Sequence, residues 1–333
     1  MSVNLGVLIH SDFGAERPED LRHYLYRYVR AVEDHKLDAI YIPTEIGWNR
    51  YGPLSMLGVL AAWTERVTIG TCVLLAPLYN PLELAEAVAT VQVVSGGRVV
   101  LGLGLGWRQE EFDAAGVTLD SRLKRLQQHF AVLPELLGGK AVTFKGAHYR
   151  LSGVQIGLAE GMAPVPLWLG SHGKPGIARA ARQADAWIAG PFAGMSGLKK
   201  QIALYRDEQA AAGRTGLTLP LMRECYVAET REEAWKDADP IRFKYQEYVA
   251  KLGAMPFDAT APIRDLAAER FVIGDPDDCA AGLARYVQET GATDLILRTQ
   301  FRGMSPEQAL TTIQLLGDEV KPRLDALLAA PGA

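Results

Sequence analysis

The sequence predicts a single (β/α)8 TIM barrel spanning residues 1–333. Three observations carry that expectation. Short apolar runs alternate strictly with segments of helical periodicity, which implies a parallel sheet covered by helices. Eight such repeats fit along the chain, and eight close a barrel more readily than they fill an open sheet. No Pro-, Gly- or Ser-rich linker divides the chain, and no solenoid repeat occurs in it. An open doubly wound sheet is the competing architecture.

Val3 to Ile9 is an apolar run of the kind buried on both faces. Pro18 opens a helix whose Leu21, Tyr24, Leu25, Tyr28 and Val32 share one stripe. Ala39 to Pro43 is the second strand, Leu54 to Thr64 a helix, and Val67 to Leu75 the third strand. The next helix has the clearest start. Asn80 suits the N-cap, Pro81 the first helical position, and Glu83 stands three beyond the cap. Leu84, Ala87, Val88 and Val91 form its inner face, and Ser95-Gly96-Gly97 stops it before a fourth strand over Val99 to Leu103. A helical pattern then runs from Gln109 to Leu137, and Val142 to Leu151, with Lys145-Gly146 at its turn, reads as a hairpin.

Leu167 to Gly170, Ala186 to Ala189 and Leu219 to Val227 are further strands, alternating with helices over Pro175–Gln183 and Ser196–Ala212. A long polar stretch covers 231–270. Asp275-Pro276 opens another helix, Asp294 to Arg298 is the eighth strand, and Ser305, Pro306 and Gln308 cap the last helix. The segments at about 138–165 and 229–272 exceed what a barrel needs and are candidate lids or interface pieces.

Composition narrows the function. With 48% hydrophobic and 22% charged residues the chain is ordinary for a soluble globular protein. A net charge of −4 with no basic cluster argues against nucleic acid and anionic membrane as partners. Cys72, Cys225 and Cys279 are odd in number and widely spaced, which suits free thiols in a cytoplasm better than disulfides or zinc. The N-terminus reads as a strand and not as a signal peptide. His23, His35 and His129 fall in helical pattern at positions expected to be exposed. They receive no role, and no metal-ligand spacing links them.

Gly102-Leu103-Gly104-Leu105-Gly106-Trp107 follows a strand and precedes a helix, as a dinucleotide fingerprint does. Trp107 stands where that fingerprint needs glycine, and the motif sits at the fourth strand instead of the first. Glycines at a strand's C-terminal end instead let a planar ring approach the backbone. A tight turn without ligand is the plain alternative.

With these residues in place, the chain resembles the bacterial-luciferase-like, flavin-dependent oxidoreductases. The resemblance rests on an ordered set: Val67-Thr68-Ile69-Gly70-Thr71-Cys72-Val73-Leu74, Asn80-Pro81, Ser95-Gly96-Gly97-Arg98, the glycine motif through Trp107, Glu111-Phe112, Gly116, Pro166-Leu167-Trp168-Leu169-Gly170-Ser171, Ala184-Asp185-Ala186-Trp187, and Arg298 with Gly303-Met304-Ser305-Pro306. It implies a barrel with an insertion, often a homodimer. It also implies either reduced FMN used with oxygen or the deazaflavin coenzyme F420 used for hydride transfer. A bulge at the end of the third strand, often with a non-prolyl cis peptide, maps to Cys72-Val73; a buried small apolar residue is the alternative for Cys72. A phosphate site maps to Gly170 and Ser171 with His172 adjacent, where helix N–H groups and a hydroxyl suit a dianion, an N-cap serine being the alternative.

The pattern also departs from the family. After the second strand the sequence is Pro43-Thr44-Glu45-Ile46-Gly47-Trp48, so Glu45 matches the family carboxylate while Ile46 replaces the usual histidine. Trp48 is then a candidate wall of the substrate pocket, as in some deazaflavin-using relatives. Trp107 occupies the place where those relatives carry a glutamate. His10, at the end of the first strand, is the replacement candidate for acid/base work, with a structural histidine as the alternative. Arg298, at the end of the eighth strand, is a candidate holder of an anion or of the reduced ring, with an ion pair to a carboxylate as the alternative. The first expectation is therefore a monooxygenase that receives reduced FMN from a separate reductase and oxidises a small organic substrate. An F420-dependent dehydrogenase or reductase is the second, and a catalytically silent flavin-binding barrel the third.

Overall fold

Short apolar runs without polar alternation become parallel strands because helices cover one face and the barrel interior lies on the other. The computed structural model describes residues 2–9, 18–44, 51–216, 218–252, 258, 260–301 and 303–330. In chain order the strands are β1 (Asn4–Leu8), β2 (Ala39–Ile42), β3 (Thr68–Leu75), β4 (Val99–Gly104), β5 (Val142–Lys145), β6 (Arg150–Val154), β7 (Leu167–Ser171), β8 (Ala186–Ala189), β9 (Pro220–Val227), β10 (Phe271–Gly274) and β11 (Asp294–Arg298). The helices are α1 (Pro18–Asp34), α2 (Pro53–Trp63), α3 (Pro81–Val94), α4 (Gln109–Ala114), α5 (Arg122–Leu137), α6 (Lys174–Gln183), α7 (Met195–Ala211), α8 (Arg231–Asp237), α9 (Ile241–Leu252), α10 (Ile263–Ala267), α11 (Pro276–Thr290), α12 (Pro306–Leu315) and α13 (Lys321–Ala329). None of the described helices is long and apolar enough to cross a membrane.

Eight parallel strands close a barrel in the order β9-β11-β1-β2-β3-β4-β7-β8, with β8 meeting β9 again. That last ladder holds a single registered pair, Ala189 with Leu221. The upper half of β9 continues past it and pairs from Glu224 to Val227 with β10. β10 is a ninth parallel strand that the sequence reading, which counts eight, does not foresee. Four residues carry no periodicity of their own, and Phe271–Gly274 directly follows the polar stretch. The continuous helix expected from Gln109 to Leu137 is instead α4 and α5, divided at Gly116, whose φ of 65° no helix accommodates.

Local signals act where they stand. The Asn80 side chain accepts from the Leu82 N–H at the head of α3. Ser305 and Gln308 form a reciprocal capping box on α12. At the N-terminal end of the barrel, Arg98 donates to the carbonyls of Ser95 (2.7 Å), Val67 (2.6 Å) and Thr64 (2.8 Å). The Ser95-Gly96-Gly97-Arg98 motif thus ties strand starts together, at the end opposite the site described below.

Side chains fill the lower barrel: Leu8, Tyr41, Val100, Trp168, Ile188 and Ile296 pack as one buried cluster. Tyr41 and Trp168 lie 6.0 Å apart between ring centroids. Gly6 and Gly70 admit the Tyr41 ring, since a Cβ at Gly6 would come within 2.9 Å of it. Two additions flank the barrel. The β5–β6 hairpin rests on α5, where the side-chain Oε1 of Gln128 accepts from the His148 and Tyr149 N–H groups. His129 of α5 is fully buried, not exposed as expected, because this hairpin covers what would otherwise be a polar helix face; its ring meets Tyr149 edge-on at 5.2 Å. α8 to α10 carry a small apolar core of their own around Ile241, Tyr245, Leu266 and Phe271.

Candidate active site at the barrel mouth

Above the packed layer the C-terminal ends of the strands surround a cavity of about 540 Å³, within the size range of small-molecule sites. Its wall includes Leu8 from β1, Cys72 and Val73 from β3, Gly104 to Arg108 from the end of β4 onward, Leu169 to Gly173 from the last residues of β7 onward, Phe192 after β8, Met222 from β9 and Arg298 from β11.

β3 makes the first irregularity. Its register on β4 shifts between Thr71 and Leu74, and the Cys72–Val73 peptide is cis. Thr71 Oγ1 donates to the Gly102 carbonyl at 2.7 Å beside the bulge. The bulge sends Val73 across the neighbouring strand ends. A Cβ at Gly170 would lie 2.8 Å from Val73 Cγ1, and one at Gly104 would strike Val73 Cγ2. At Gly106, where φ is 76°, a Cβ would meet the Phe112 ring at 2.7 Å. Gly104 and Gly106 do line the cavity. The space their missing side chains leave is taken by Val73 and Phe112, a packing reason for glycine that sequence reading did not supply. Burial, partly opposed by the nearby Arg298 charge, pushes the Cys72 thiol up to about 12, so it is no nucleophile near neutral pH.

The turn from β7 into α6 makes the second feature. The Ser171 hydroxyl oxygen is buried and has no hydrogen-bond partner among the described residues. Gly176, in the first turn of α6, leaves room for it, since a Cβ there would sit 2.7 Å from Ser171 Cβ. Arg179, one turn further along α6, also lines the cavity. His172 packs edge-on against Phe192 at 4.5 Å, and its ring fills the space that a side chain at Gly190 would need. The crowded wall around its ring pushes its imidazole down, while the residue as a whole stays exposed on the cavity side.

Charges form the third feature. The Arg298 guanidinium pairs with both oxygens of Glu224, Nε to Oε2 at 2.7 Å and Nη2 to Oε1. Tyr245 of α9 donates to the same Oε1 at 2.7 Å. Arg298, a sequence candidate for holding an anion or the reduced ring, thus forms the carboxylate ion pair that was its alternative, and its charge is neutralised inside the wall. Arg108 lies over the Trp107 ring at 5.0 Å, with Glu111 at 3.9 Å and Glu247 of α9 at 3.8 Å.

The structure therefore gathers Cys72, Val73, Gly104, Gly106, Trp107, Gly170, Ser171, His172 and Arg298 around one cavity. His10, Glu45 and Trp48 lie outside the described residues. Sequence reading missed Glu224, Tyr245, Phe192 and Gly190. For Glu224 a signal existed: it stands two residues from Met222 on β9, so both project into the barrel.

Comparison with known proteins adds a lineage to this geometry. A family model described as luciferase-like monooxygenase matches residues 3–294. An F420-dependent glucose-6-phosphate dehydrogenase of Microbacterium testaceum is 28% identical, with 88% of this chain and 90% of that protein covered. A 5,10-methylenetetrahydromethanopterin reductase of Archaeoglobus fulgidus is 32% identical over 174 residues, and the match spans 52% of this chain and 51% of that protein. Among solved structures, a monooxygenase of Streptomyces bottropensis superposes with a TM-score of 0.80 at 20% identity, covering 96% of this chain and 99% of that one. The F420-dependent tetrahydromethanopterin reductase of Methanopyrus kandleri gives 0.77 at 17% identity, covering 97% and 100%.

Proposed function

Given that this chain belongs to the luciferase-like monooxygenase family, we propose that it is an oxidoreductase that takes up reduced FMN and, with O2, oxidises a small organic substrate at the barrel mouth. Ser171 carries the reading. A buried hydroxyl without a partner is uncommon, and at a helix start it suits an anion that supplies the missing acceptor. The cofactor's phosphate fits that turn, with Arg179 near, and its ring fits the apolar space beside Val73. When bound, the reduced flavin supplies the electrons that oxygen needs.

The chain's own groups do the rest. Leu105, Leu126 and Phe192 keep water from the reacting centre. His172 lines the cavity and offers the bound molecule a hydrogen bond. The Cys72 thiol stays protonated and takes no part as a nucleophile. Reduced FMN would arrive from a separate reductase.

A second reading, hydride transfer with coenzyme F420, is favoured by one observation: several relatives matched over about nine-tenths of the chain are named F420-dependent. Fluorescence titration with oxidised FMN, anaerobically reduced FMN and F420 separates the two. Tight binding of reduced FMN, followed by substrate-dependent oxygen uptake with a reductase present, is the expected result. Tight binding of F420 alone would replace the first reading by the second. Binding without turnover under every donor would mark a silent barrel.

A further inference from the structure

The charges in the cavity wall bear on what can lie beside the cofactor. Among the described residues, three guanidinium groups line the cavity. Arg179 belongs to the α6 end, beside the Ser171 turn. Arg108 faces Glu111 and Glu247. Arg298 is held by both oxygens of Glu224, and Glu224 is fully buried and fixed by the Tyr245 phenol. An anion brought alongside Arg298 therefore approaches a guanidinium whose charge is already balanced by Glu224, sealed within the wall. It would be stripped of water for little Coulomb return, because the ion pair presents almost no net charge. An uncharged molecule meets no such penalty. The flanking strands offer it Leu8 and Met222, and the rest of the cavity wall adds Leu105, Leu123 and Leu126.

We infer that Glu224, held in place by Tyr245, is a specificity-determining residue: by cancelling the Arg298 charge it reserves the substrate compartment for an uncharged, mainly apolar organic molecule and turns away anions such as sugar phosphates. The inference rests on reading the cavity as a joint cofactor and substrate site.

The test is calorimetric binding of octan-2-one, octanoate and glucose 6-phosphate to the full chain, with and without saturating FMN. In the FMN-bound protein, octan-2-one should bind at least about tenfold more tightly than octanoate, and glucose 6-phosphate should give no binding heat. Glu224→Gln uncovers the cation and should tighten octanoate by about tenfold or more while leaving octan-2-one within about threefold. Adding Arg298→Gln to it should restore the weak octanoate binding. Wild-type protein that prefers octanoate or glucose 6-phosphate would overturn the inference, as would a folded Glu224→Gln protein with an unchanged ratio. If Glu224→Gln does not fold, the wild-type preference decides alone. If reduced FMN fails to bind, the proposed function falls, and the ratio measured without FMN still tests the role of Glu224.

Discussion

Replacing Ser171 by alanine should move two quantities in opposite directions. Without cofactor, the hydroxyl is buried with no partner among the described residues, and such a group costs about 1–3 kcal/mol. Alanine keeps the Cβ that Gly176 accommodates and removes only the oxygen. The cofactor-free protein should therefore gain about 1 kcal/mol of stability. With phosphate present, the same hydroxyl would donate a charge-assisted hydrogen bond, so its loss should weaken FMN by about 1–2 kcal/mol, or roughly tenfold in Kd. Riboflavin, which has the ring but no phosphate, should bind both proteins equally. Urea unfolding of the free proteins and fluorescence titration with FMN and riboflavin read all three effects. Equal FMN affinity in the two proteins, or an equal fall for FMN and riboflavin, would refute the phosphate assignment. A loss of cofactor-free stability would show that the hydroxyl has a structural partner after all.

Two further expectations concern the scaffold. Burial holds His129 down at about 4, against 6.5 for an ordinary imidazole, so between those values the unfolded chain binds a proton that the folded chain refuses. This contribution, about 3 kcal/mol, is complete above pH 6.5 and is lost as pH falls towards 4; urea unfolding at pH 7 and pH 5 should show it, and His129→Gln should flatten the slope, while identical slopes in the two proteins would remove His129 as the cause. Arg98→Ala strips donors from the Ser95, Val67 and Thr64 carbonyls and should cost about 3 kcal/mol without changing FMN affinity, because Arg98 sits at the far end of the barrel; a selective loss of FMN binding at unchanged stability would contradict that placement.

Features written within a few residues were legible in the sequence. Asn80-Pro81 and Ser305-Pro306 announce their helices because a cap satisfies donors only two or three residues away. The alternation of runs reached the barrel by the same route. The bulge at Cys72-Val73 was placed only through resemblance, since no local rule marks it. What stayed hidden is non-local. Arg298 and Glu224 lie 74 positions apart, and Tyr245 reaches Glu224 from an insertion helix. His129 looks exposed on its own helix until a hairpin from further along the chain covers it. The glycines after β4 were legible as necessary but not as to why, because Val73 and Phe112 fill their space from other elements.

The single registered pair between β8 and β9 has a consequence of its own. A barrel is a hoop, and this hoop is fastened at one place by one rivet. A side chain supplements it: Arg223 of β9, fully buried, donates 3.0 Å to the carbonyl of Gly190, just beyond the end of β8. Gly190 is also the residue against which His172 rests. If the barrel breathes, this is where the wall parts first, beside the proposed phosphate turn. The clasp that keeps the hoop shut and the floor beneath the imidazole are then the same peptide, and slack in one is felt in the other.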